Sequence, residues 1–94
     1  MADNFDILER VKSDLGLAGN TFHDSTLSGY ISEVKEYLLD SGVSESVVNS
    51  ELSAGVISRG VSDLWNYGSG GATLSPYFKE RVVQLIYKGR EING

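Results

Sequence analysis

The chain has 94 residues, one His and no Cys, and 13 acidic against 8 basic residues give it a formal charge of −5. That length makes a single domain with a modest core. The missing Cys excludes disulfides and leaves little for a structural zinc site, and the acidic balance argues against a protein that grips phosphate backbone over its general surface. Oligomerisation is the staple that remains to such a core.

Hydrophobic spacing is helical along almost the whole chain. The start, MADNFDILERV, is acidic where a signal peptide would be basic, and no apolar run approaches the roughly 20 residues of a membrane span, so a soluble, intracellular protein is expected. Phe5, Leu8, Val11 and Leu15 fall on one side of a short first helix, with Asp3 or Asn4 as its cap and Gly16 and Gly19 closing it. A loop runs to Asp24, which is placed to cap a second helix. The stripe Leu27, Tyr30, Ile31, Val34, Tyr37 and Leu38 in that helix is the strongest periodic signal in the chain. Ser41-Gly42 ends it, with Gly42 as a left-handed residue past the last turn.

SESVVNS is too short for a full helix, but Asn49 or Ser50 can cap a third one carrying Leu52, Val56, Ile57, Val61, Leu64 and Trp65 on a broad apolar side. Gly55 and Gly60 interrupt that helix at roughly 1 kcal/mol each relative to Ala. Small residues on an apolar face mark close approach, so one of them is expected at a helix crossing. Ser75-Pro76 is the clearest helix start, a Ser cap followed by a Pro whose missing N–H costs nothing at the first helical position. Phe78, Val82, Leu85 and Ile86 form the inner stripe of this fourth helix, while Tyr77, Val83 and Tyr87 put apolar surface on its other sides. Gly89 is expected to stop it, leaving REING as a polar tail. The expected fold is therefore all-α, a small bundle of about four helices in one domain over residues 1–94, with a Gly/Ser-rich loop between the last two.

Few residues invite chemistry. The loop in WNYGSGGATLSPYF precedes a helix N-terminus, but a phosphate cradle needs a Lys where Leu74 stands and a buried strand where the helix ending in Leu64-Trp65 stands. His23 beside Asp24 reads as a solvated loop residue, since sequence neighbours point apart and no nucleophile accompanies them. Glu33, Lys35, Glu36 and Asp40 read as a hydrated outer face. HDSTL resembles the Asp-Ser-Leu at which acyl carrier proteins hold phosphopantetheine, but Thr26 intervenes and helix capping accounts for Asp24-Ser25. No catalytic residue, metal ligand or cofactor site is assigned, and no enzyme is expected.

The segment from Val47 to Lys88, VVNSELSAGVISRGVSDLWNYGSGGATLSPYFKERVVQLIYK, resembles the head-tail connector (adaptor) family of long-tailed bacteriophages, also labelled DNA-packaging or head-completion proteins. ILERVKSDLGL and YISEVKEYLLDSGV are similar to the first half of that family. The most specific part is an aromatic-ended helix, a Gly-Ser loop and a second amphipathic helix, in that order and spacing. The resemblance implies an all-helical virion subunit, present in the bacterial host cytoplasm before assembly. It implies self-assembly, typically as twelve copies, into a ring under the portal protein that extends the channel for genomic DNA and meets the next head-completion or tail protein.

On that reading an acidic wall lets DNA slide without sequence-specific binding, and a neighbour covers the surplus apolar surface of the fourth helix. The expected subunit or portal interface comprises Tyr67, Gly68, Ser69, Gly70, Gly71, Leu74, Tyr77 and Tyr87, with Arg81 and Arg90 at its rim. The glycines predict that Tyr67 to Leu74 changes order on assembly. A small helical DNA-binding regulator is the competing reading, resting on Lys79, Arg81 and Lys88 of the fourth helix.

Overall fold

The computed structural model of the chain describes residues 6–67 and 74–93, with side chains described as far as residue 89. It contains α1 (Ile7–Leu15), α2 (Asp24–Asp40), a single-turn α3 (Glu45–Val48), a 3-10 turn (Glu51–Ser53) that runs straight into α4 (Ala54–Tyr67), and α5 (Pro76–Asn93). There is no strand among the described residues. The all-α bundle of four longer helices is the expected one, and among the described residues no helix is long and apolar enough to cross a membrane.

α1 begins later than expected. Its cap is Asp6, whose backbone is extended and whose Oδ1 accepts the Glu9 N–H at 3.2 Å. Asp6 displaces Asp3 and Asn4 because it is the last capping side chain before the apolar stripe, with an acidic residue in the first turn to suit the helix dipole. Phe5 lies outside the described residues. Gly16, at φ 77°, closes the helix by donating back to Lys12 and Ser13.

Asp24 is not the cap of α2. His23 holds that position without a side-chain hydrogen bond, and Asp24 lies inside the first turn with its carboxylate turned to Lys12 of α1. The stripe of α2 is as expected: Leu27, Ile31, Val34 and Leu38 are buried, and Tyr30 and Tyr37 pack half-buried against them. Gly42, at φ 107°, lets Val43 donate back to Leu38 at 3.0 Å and turn its own side chain into the core.

Ser44 caps α3 and Ser50 caps the 3-10 turn. Val47 and Val48 plug the bundle here, whereas Leu52, expected on the α4 stripe, is left exposed. The tighter winding of the 3-10 turn rotates Leu52 away from the side that Val56, Ile57, Val61 and Leu64 bury.

α4 is the element shared by α1, α2 and α5. Gly60 sits at the expected crossing: a Cβ there would stand 2.7 Å from Phe78 Cε1 and 3.0 Å from both Val34 methyls. The approach comes from the side chains of α5 and α2 together. Phe78, fully buried, also packs against Tyr37 with ring centroids 5.6 Å apart.

α5 starts at Pro76, and the Phe78 N–H donates to Ser75 Oγ at 3.1 Å. The helix does not stop at Gly89 but runs on to Asn93. Gly89 is buried where a Cβ would come within 3.2 Å of Val47 Cγ2, so its role is room for Val47. Residues 90–93 are accordingly helical.

Candidate functional site

Two features of α5 could serve a partner. The first is an apolar ridge. Val83 and Tyr87 are 50% and 60% exposed and, four residues apart, stand next to each other on the outward side of the helix. This is the surplus surface read from the sequence.

The second begins at Tyr77, which is half exposed and belongs to a different side of α5. It heads a row with Arg81, Gln84 and Lys88, at spacings of three and four residues. Arg81 Nη1 donates to Tyr77 Oη at 3.1 Å, and the guanidinium carbons of Arg59 and Arg81 lie 5.2 and 5.8 Å from the Tyr77 ring centre. Tyr77 thus serves as a platform for arginines.

The other expected interface residues divide. Tyr67, the last residue of α4, is exposed. Leu74 is 5% exposed and belongs to the core, contrary to expectation. Its neighbour explains this: the buried Asp63 of α4 accepts the Ser75 N–H at 3.0 Å, which draws the exit of the loop against α4. Gly68, Ser69, Gly70 and Gly71 lie outside the described residues, as does the predicted change in loop order, and so does the Arg90 side chain.

A groove of about 400 Å³ between α1, α4 and α5 was not read from the sequence. Arg10, Asp14, Ser58, Arg59, Tyr77 and Arg81 line it. Gly55 forms part of the lining, and the terminal Nη2 atoms of Arg10 and Arg81 both lie 3.8 Å from where its Cβ would be. Asp14 accepts from Ser58 Oγ at 2.6 Å and pairs with Arg10 Nε at 2.9 Å. The Ser58 hydroxyl, helped by Arg10 and opposed by partial burial, holds the Asp14 carboxyl below its ordinary value. Arg59 Nε lies 3.6 Å from Asp63 Oδ1. Arg81 has no carboxylate partner among the described residues, its polar contact being the Tyr77 hydroxyl. A smaller groove of about 120 Å³ continues past Arg81 to Gln84, Lys88 and Leu52.

Two further features bind the helices of the chain together. Lys12, almost fully buried, places Nζ 2.9 Å from Asp24 Oδ1 and ties α1 to the start of α2. The approach lies off the hydrogen-bond axis, so charge holds the pair. It also gives Asp24 a role other than capping, beside an exposed Ser25. His23 is not a solvated loop residue: it is half-buried, edge-on to Trp65 at 5.0 Å and to Phe22 at 4.9 Å.

The described residues hold no group of three His, Cys, Asp or Glu side chains placed to bind a metal ion. What the surface of α5 can do chemically is bind: the ridge by apolar contact and the groove by paired guanidinium donors, which suit carboxylates and other oxyanions. No protein-family profile, no curated protein and no solved structure matches the chain.

Proposed function

We propose that the protein is a structural subunit of the phage head-tail connector: copies close into a ring under the portal, extend the DNA channel and offer a surface to the next head-completion or tail protein. The observation that carries this reading is the ridge of α5, where Val83 and Tyr87 remain exposed after the helix has buried Phe78, Val82 and Leu85. Exposed aromatic and branched side chains on a helix that already has its core contact suit a surface completed by another chain. The resemblance of residues 47–88 supplies the kind of assembly. The acidic balance suits a channel wall past which DNA slides.

In this role the subunit acts by shape and adhesion, in the host cytoplasm before assembly and at the head-tail junction afterwards. Tyr87→Ala tests it. The variant should keep its helical circular dichroism and lose incorporation into heads, together with any ring seen by negative stain. Normal incorporation of Tyr87→Ala would move the interface off this ridge. Retention of wild-type protein on duplex DNA at physiological salt would favour the DNA-binding regulator instead.

A further inference from the structure

We infer that the arginine groove between α1, α4 and α5 is the socket for an acidic edge of a second copy of this chain, namely Glu36 and Asp40 at the C-terminal end of α2. This rests on the assembly reading above and specifies its contact.

The argument begins with charge. Four of the eight basic residues, Arg10, Arg59, Arg81 and Lys88, line the two grooves that meet at Arg81, against one acidic residue, Asp14. The grooves therefore carry +3, and the rest of the chain carries −8 within the net −5. A protein so divided is complementary to itself when copies stack head to tail.

The acidic edge has its own reason to seek a cation. Glu36 and Asp40 are exposed, and neither has an ion-pair partner among the described residues. They stand four apart on one side of α2, where like charges repel. They also lie near the negative end of the helix dipole, and the last turn of α2 has no basic residue. Both penalties are relieved if guanidinium groups meet the pair.

The socket suits carboxylates in kind. Arg81 offers donors that no carboxylate among the described residues occupies, and its orientation is held by Tyr77. Arg10 reaches the same point above Gly55, where the absent side chain leaves room for an incoming one. Because socket and edge are different surfaces, the contact is head-to-tail, the kind that closes into a ring when the rotation allows.

A charge swap tests this. The double change Arg10→Glu with Arg81→Glu takes the grooves from +3 to −1 and so reverses the socket, the double change Glu36→Lys with Asp40→Lys reverses the edge, and each protein is first checked for wild-type helical circular dichroism. By light scattering, either variant alone should associate about tenfold or more weakly than wild type. An equal mixture should recover large species, since each reversed surface then meets a complementary one. Wild-type assembly should also weaken as salt rises from about 0.05 M to about 0.5 M.

Wild-type rings that are indifferent to salt and to both reversals would overturn the socket while leaving the connector reading in place. A wild-type monomer at every concentration, alone and with portal, would remove both. A protein with Arg10→Glu and Arg81→Glu that assembles normally but loses retention on duplex DNA would overturn the socket and assign the groove to nucleic acid.

Discussion

α2 and α5 carry the same kind of inner stripe and differ on their outer sides. α2 buries Leu27, Ile31, Val34 and Leu38 and leaves one large apolar side chain, Leu39, exposed; α5 buries Phe78, Val82 and Leu85 and leaves Tyr77, Val83 and Tyr87 exposed. Within the bundle both helices do the same work, meeting α4 at Gly60. Outside it α2 offers carboxylates and α5 offers rings, a branched side chain and Arg81. Two helices equally good at making a core are thus unequal as surfaces, and the proposed ring contact rests on that inequality.

Substitutions separate the shared inner role from the divided outer one. Phe78→Ala should have the largest effect on stability, about 3–5 kcal/mol, because it empties a fully buried site touched by both α2 and α4. Urea unfolding would measure it, and a loss below about 1 kcal/mol would mean that the bundle does not depend on that crossing.

Gly60→Ala comes next. Its methyl would meet Phe78 and Val34 at 2.7–3.0 Å, and the overpacking should cost about 1–3 kcal/mol. Gly55→Ala, with nothing closer than 3.8 Å, is the control and should be neutral or gain up to about 1 kcal/mol from helix propensity. Equal effects at both glycines would break the contrast between the crossing and the groove.

Tyr87→Ala should cost less stability than Gly60→Ala while reducing assembly more, which sharpens the division between inner and outer sides of α5. Midpoints of urea unfolding read against light-scattering mass would show the two effects part company.

The smallest effect is at Asp14. Its carboxyl sits below the ordinary value of 3.8, chiefly through Ser58, so the folded state binds the proton less readily than the unfolded one. That contribution is present above the unfolded value and is lost as pH falls through the lowered folded one. Ser58→Ala should raise the Asp14 value towards 3.8 and reduce stability above it, with little difference in acid once Asp14 is protonated in both states. Carboxyl titration by NMR would follow the shift, and an unchanged Asp14 would remove Ser58 as its cause.

The sequence made the helices legible where periodicity was local. The α2 stripe, the Ser75-Pro76 start and the left-handed Gly42 all depend on residues a few positions apart, and each stands where expected. Gly60 was legible as one of two candidates for the crossing, but the choice between it and Gly55 depended on Phe78 and Val34, which come from two other helices. Gly89 misled because a glycine late in a helix reads as a stop when Val47, which needs its space, is far away in the chain. Asp24 misled in the same way, since Lys12 outcompeted its own helix for the carboxylate. Leu74 read as a loop residue because the pull of Asp63 on Ser75 has no local signature. The arginine groove was invisible for the same reason: Arg81 read as the rim of an interface, and only the packing of three helices brings Arg10 and Arg59 to the same cleft.

The central claim is that the protein forms a ring under the portal. Its most direct test is the mass of the purified protein, alone and mixed with its cognate portal, by light scattering with negative-stain imaging of any large species. Rings, free or stacked on portal, are the predicted result. A protein that stays monomeric and ignores portal under both conditions would contradict it.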